Sequence, residues 1–140
     1  MSYLDTSVLA AYYCPEARSA RVQRLLSRVG NPTISPLVEL ELHCAVARKV
    51  RSGGMDAAVA RRIFAEFRGH LAESRFNVVP IQAGEYALAR GWIEEMSSPL
   101  RALDALHLAA ASANDLALVT ADRALAASAR RLGVRCRLVT

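Results

Sequence analysis

Leu116-Ala117-Leu118-Val119 is a run of four apolar residues that passes directly into Thr120-Ala121-Asp122. A strand with one wet face alternates apolar and polar side chains, whereas an unbroken apolar run suits a strand covered on both faces. A similar transition occurs where Tyr3-Leu4 runs into Asp5-Thr6-Ser7. Between such runs the chain has helical spacing, and parallel strands need crossover connections of that kind. The pattern predicts an α/β chain whose central, mainly parallel sheet of four to five strands is flanked by helices.

The segments between fill in that frame. Apolar residues and Arg recur at helical spacing from Thr6 to about Val29. Asn31 to Ser35 reads as a turn and short strand, with Ser35 as helix cap and Pro36 at the first helical position. That helix runs to about Arg51, Ser52-Gly53-Gly54 breaks it, and Met55 to Glu73 is helical again. Asn77 to Ile81 reads as a strand, Ala83 to Met96 as a helix, and Ala102 to Ala113 as a helix of small residues. After Asp122 come a helix to about Leu132, Gly133 as its cap, and a strand from Val134 to Val139.

With 140 residues, 53% of them hydrophobic, the chain suits one domain spanning 1–140, large enough for a core without disulfide or metal staples. Cys14, Cys44 and Cys136 are odd in number and far apart, which argues for free thiols in a reducing compartment. No apolar run approaches a membrane span and the first residues lack the pattern of a secretory leader, so a cytoplasmic protein without membrane contact is expected. The net charge of +5 favours an anionic partner such as RNA. Lys49 is the sole lysine, so nearly all the positive charge is guanidinium, which also fits a genome biased towards Arg codons.

Four acids carry the functional argument. Asp5 and Asp122 each follow a strand, at the end where open α/β sheets bind ligands, although either alone also reads as a helix cap. Glu41 falls between Leu37, Cys44 and Ala45 on its helix, within the expected buried arc, while Glu39 points towards solvent. Arg48, two turns along that face, offers Glu41 an ion-pair alternative. Asp104 opens a helix too apolar to be a solvated surface, where an acid also interacts well with the helix dipole. His107 is expected to be a core or rim residue outside the site. Four converging carboxylates repel one another unless a cation neutralises them, and hard oxygen ligands select Mg²⁺ or Mn²⁺. Such ions support phosphodiester hydrolysis without a protein nucleophile.

Together these segments resemble the PIN domain, most closely the VapC ribonuclease toxins of bacterial toxin–antitoxin pairs. The resemblance rests on Tyr3-Leu-Asp-Thr-Ser7 with Pro15-Glu16, on Glu41-Leu-His-Cys-Ala-Val-Ala-Arg48, on Leu103-Asp-Ala-Leu-His-Leu-Ala-Ala-Ala111 and on Leu118-Val-Thr-Ala-Asp-Arg123. It implies a single PIN-like domain that cleaves RNA with Mg²⁺ or Mn²⁺. Asp5, Glu41, Asp104 and Asp122 would be its catalytic, metal-holding acids, and Thr6, Ser7 and Thr120 would support them by hydrogen bonds. It further implies a homodimer and a VapB-type antitoxin that blocks the site. Two other readings compete. A phosphoaspartate enzyme also places Asp after the first strand, but wants a second acid nearby and a lysine. A catalytically silent module would pair its acids with arginines and merely dock RNA or protein. Trp92 with Tyr86, and Tyr12 with Tyr13, read as core or interface aromatics more readily than as base-stacking platforms.

Overall fold

The computed structural model describes residues 1–140. Its elements in chain order are β1 (Ser2–Leu4), α1 (Thr6–Tyr13), α2 (Ser19–Arg28), β2 (Thr33–Ile34), α3 (Pro36–Arg51), α4 (Ala57–Ala72), β3 (Asn77–Val78), α5 (Ala83–Glu94), α6 (Ala102–Ala113), β4 (Ala117–Thr120), α7 (Arg123–Arg131) and β5 (Cys136–Leu138). The strands form one sheet in the order β3-β2-β1-β4-β5, and every neighbouring pair is parallel. The α/β class, the parallel sheet and its five strands match the reading from the sequence.

The strand order explains where a site can form. From β1 the chain winds outward through β2 and β3, then returns to place β4 against the opposite edge of β1 and β5 beyond it. Successive connections therefore leave β1 and β4 in different directions and open a crevice at their carboxyl ends. Tyr3 lies opposite Leu118 and Leu4 opposite Val119, so Asp5 emerges beside the end of β4.

Three details differ from the periodicity. The helical stretch after Asp5 is two helices, because Cys14, at ψ 132°, leaves the helical region just ahead of Pro15, which disfavours that region for its predecessor. The strand expected over 77–81 is paired only at Asn77 and Val78, and Pro80 has no N–H with which to extend it. The last strand is likewise shorter, Cys136–Leu138, because Val134 is still engaged in closing α7: its N–H donates to the carbonyl of Ala129. Gly133, at φ 74°, takes the left-handed conformation that makes this turn possible.

The principal core lies against both faces of β1 and β4, where Tyr3, Leu4, Leu118 and Val119 pack with Val8 and Leu9 of α1, Leu42 and Val46 of α3, and Leu108 of α6. Helix α6 buries seven consecutive residues, Ala105 to Ala111, a sequence whose alanines let sheet and α5 approach it closely. Trp92 bridges the main core and a smaller cluster of Ala89, Ala105, Leu106 and Ala109. Tyr13 is a core aromatic, edge-on to Phe67 with its hydroxyl on Nδ1 of His70, whereas Tyr86 is exposed. No helix is long and apolar enough to cross a membrane. Leu118→Ala, which empties a fully buried position on β4, is expected to cost about 2–5 kcal/mol in urea unfolding, against less than about 0.5 kcal/mol for the exposed Arg62→Ala.

Candidate functional site

The acid after β1 is the most enclosed. Asp5 is 3% exposed and caps α1 by accepting from the Val8 N–H at 3.2 Å. Its two carboxylate oxygens also accept from hydroxyls: Oδ1 from Ser7 at 2.6 Å and Oδ2 from Thr120 at 2.5 Å. Both hydroxyls have a second role. Ser7 Oγ accepts from the Ala121 N–H at 2.9 Å and Thr120 Oγ1 from the Asp122 N–H at 3.0 Å. Asp5 is thus tied through two side chains to the turn that carries Asp122. Burial pushes its pKa up, against the lowering effect of the Ser7, Thr120 and Val8 hydrogen bonds and of the His107 imidazole.

Glu41 is held by a longer chain of groups. Its Oε1 accepts from the Thr6 hydroxyl at 2.9 Å and from Nε2 of His107. On the other side of the imidazole, Nδ1 is 2.9 Å from the Tyr3 hydroxyl, which is 2.7 Å from Ser35 Oγ. Ser35 in turn caps α3 by accepting from the Val38 N–H, with Pro36 at the first position of the helix. Burial alone would raise the Glu41 pKa, but the hydrogen bond and charge of His107, together with the Thr6 hydroxyl, more than offset it and hold the carboxyl below its ordinary value.

Asp122 caps α7, its Oδ1 accepting from the N–H groups of Ala124 and Leu125 at 2.8 and 3.1 Å. Asp104, in the first turn of α6, makes no side-chain hydrogen bond within the protein. Its pKa is raised first by burial and next by the negative charge of Asp122, with Glu41 and Asp5 adding to the effect and His107 opposing it. Glu41, Asp104 and Asp122 all line a cavity of about 850 Å³ with Thr6, Ser7 and the two arginines Arg48 and Arg101. Asp5 and Thr120 lie buried beneath that cavity and do not line it.

Each cavity acid is anchored in a way that leaves oxygen free: Oε2 of Glu41, Oδ2 of Asp122 and both oxygens of Asp104 carry no protein hydrogen bond. The donor set is hard oxygen, and the other acids raise the proton affinity of Asp104, a repulsion that a divalent cation relieves. No three His, Cys, Asp or Glu side chains stand close enough to close directly around one ion.

Two expectations about Glu41 are corrected. Its face of α3, shared with Cys44 and Ala45, is the cavity wall, and the core face is instead Val38, Leu42 and Val46. Its partner is His107 and not Arg48, which forms no ion pair. His107, expected outside the site, is 3% exposed and joins Tyr3 to Glu41. A usable signal was present: a histidine inside Leu-His-Leu on an apolar helix has two ring nitrogens that need partners. The phosphoaspartate reading loses its geometry, because Asp5 is enclosed with both oxygens engaged and Lys49 lines a different pocket beside Cys14 and Met55.

A family model for the PIN domain matches residues 2–131, so this chain belongs to the PIN-domain family. The fold is similar to that of VapC20 from Mycobacterium tuberculosis, a sarcin-ricin loop cleaving toxin, at 20% identity and TM-score 0.70 over 91% of this chain and 95% of that one. It is similar also to VapBC2 from Rickettsia felis bound to a DNA fragment from their promoter, at 18% identity and TM-score 0.69 over the whole of both chains. A third likeness is to a toxin–antitoxin complex from Klebsiella pneumoniae, at 20% identity and TM-score 0.61 over 90% of this chain and 91% of that one. Comparison with curated proteins finds no match.

Two outcomes test this electrostatic account. Since the folded state raises the Asp104 pKa, its contribution to stability is present at low pH and lost as pH rises through the folded value. Asp104→Asn is therefore expected to raise Tm at neutral pH, with the difference from wild type shrinking as pH falls. His107→Ala takes one hydrogen-bond partner each from the Tyr3 hydroxyl and the Glu41 carboxylate, leaving them Ser35 and Thr6, and is expected to cost about 1–3 kcal/mol in urea unfolding.

Proposed function

We propose that this protein is a metal-dependent endoribonuclease, acting as the VapC-type toxin of a toxin–antitoxin pair. The observation that carries the reading is the set of free carboxylate oxygens of Glu41, Asp104 and Asp122 around one cavity at the switch point of the sheet. Mg²⁺ or Mn²⁺ is the ion: Glu41, Asp104 and Asp122 hold it from the cavity wall, and Asp5, expected from the sequence as a fourth ligand, acts on it from beneath through its charge. When bound, such an ion polarises a phosphodiester and lowers the pKa of a coordinated water.

The chain's own residues supply position and charge. Asp104 presents two unengaged oxygens to the cavity. Glu41 presents one, its other oxygen being fixed by Thr6 and His107. Asp122 is aimed by the α7 amides, and Asp5 adds negative potential from below, its own charge stabilised by Ser7 and Thr120. Ser7 and Thr120 thus support the site through Asp5, and Thr6 supports it through Glu41.

The PIN-domain family and the folds of a sarcin-ricin loop cleaving toxin and of a toxin–antitoxin complex support the toxin reading. The partners are then an RNA substrate, a VapB-type antitoxin that occludes the cavity, and a second copy of the chain in a homodimer. The whole chain, 1–140, works as one PIN domain, and RNA places its action in the cytoplasm.

The test is incubation of wild type, Asp5→Asn and Asp104→Asn with a mixed RNA pool in Mg²⁺, in Mn²⁺ and in EDTA. Cleavage is expected in either metal only, and each substitution is expected to reduce it by more than about 100-fold. Intact RNA in both metals, together with no calorimetric Mn²⁺ binding by wild type, would support a silent binding module instead.

A further inference from the structure

The lining of the cavity has a charge problem that the four acids do not solve. Three carboxylates face it, and an RNA strand brings one more negative charge with every phosphate. A bound ion neutralises charge at the scissile phosphate only, while the flanking phosphates still meet an acidic wall. The only cations in that wall are Arg48 and Arg101.

Both stand beside carboxylates without pairing to them. The ion pairs of the protein join Glu66 with His70, Glu73 with Arg75, Asp115 with Arg135 and, at the cavity wall itself, Glu41 with His107. Arg21 and Arg131 donate to backbone carbonyls of Thr140 and Ser97. Arg48 and Arg101 do neither, although both share a cavity with three acids. Arg48 stands seven residues beyond Glu41 on α3, about 10 Å along the helix axis. Arg101 stands at the opening of α6, three residues before Asp104. The two guanidiniums therefore come from separate elements, one beyond Glu41 and one before Asp104.

We propose that Arg48 and Arg101 form a backbone clamp that grips RNA phosphates flanking the one held at the acids. A guanidinium forks onto two phosphate oxygens, which fixes the strand's register without reading its bases. Both arginines are positioning residues, and their unpaired state leaves the donors available to substrate. The clamp rests on the RNA reading given above, but binding can be measured without cleavage.

The test measures the affinity of a fluorescent, mixed-sequence single-stranded RNA by anisotropy in Ca²⁺ from 50 to about 300 mM salt, a range over which counterion release is read as a slope. A gel confirms that the RNA stays intact. Wild type is compared with Arg48→Ala, Arg101→Ala, the double variant, the two Lys replacements and Arg24→Ala on α2, outside the cavity. Each cavity alanine is expected to lower the slope of log affinity against log salt by about 0.7, and the double variant by about 1.4, because each phosphate contact on a single strand releases its own counterions. Lys keeps the charge and is expected to restore the slope. Unchanged slopes, an equal loss in Arg24→Ala, or no binding by wild type would overturn the clamp. Lost slope in a protein that cuts no RNA in Mg²⁺ or Mn²⁺ would sustain the clamp and remove the nuclease reading; cleavage with unchanged slopes would do the reverse.

Discussion

A buried carboxylate has to be solvated by something, and around Asp5 the hydroxyls of Ser7 and Thr120 and the Val8 amide take the place of water. Ser7 belongs to α1 and Thr120 to the end of β4, so these bonds form only if β1 and β4 lie side by side with their carboxyl ends level. The same two hydroxyls accept from the amides of Ala121 and Asp122. The geometry of one enclosed acid therefore sets the path of the β4–α7 turn and the position of the exposed one.

Glu41 is tied in by a second polar chain, from Ser35 through Tyr3 and His107 to the carboxylate. Its members come from β1, from the cap of α3, from α6 and from α3 itself, and each buried polar atom along it is satisfied. Partly satisfied chains of this kind destabilise a core, whereas complete ones specify a single arrangement of the elements they join. In this protein the arrangement so specified is the convergence of α3 and α6, whose facing sides form the cavity.

The cavity concentrates unfavourable charge, and the fold tolerates it unevenly. The Glu41 carboxyl is held low by its histidine, while those of Asp5 and Asp104 are pushed up by burial, with the other acids adding to the shift of Asp104. Such a split is common where a site is prepared for a cation at some expense to the stability of the empty protein. The two unpaired arginines extend the same logic outward, since pairing them with the acids would relieve the charge but close the site.

Much of this was legible in order along the chain. The apolar run before Thr120, the hydroxyl-flanked acids and the helical spacing between them are local, and they suffice for a parallel α/β sheet and for four candidate acids. Local pattern also leaves the boundaries open: helical periodicity continues through Pro15, where the chain divides into α1 and α2, and the apolar run continues past Val78, where strand pairing ends. What the sequence could not decide is which groups meet across it. His107 looked like core because one helix carries no record of Tyr3 and Glu41, 104 and 66 residues away. Arg48 is an ion-pair alternative for Glu41 along the sequence because both lie on one face, yet the structure pairs Glu41 with His107. The sequence by itself determined the kinds of side chain and their spacing along each element, for those follow from residue type and backbone period. Only the tertiary structure decided the pairing of the acids and the freedom of the arginines, because hydrogen bonds and Coulomb forces act over a few ångströms and depend on which elements pack together.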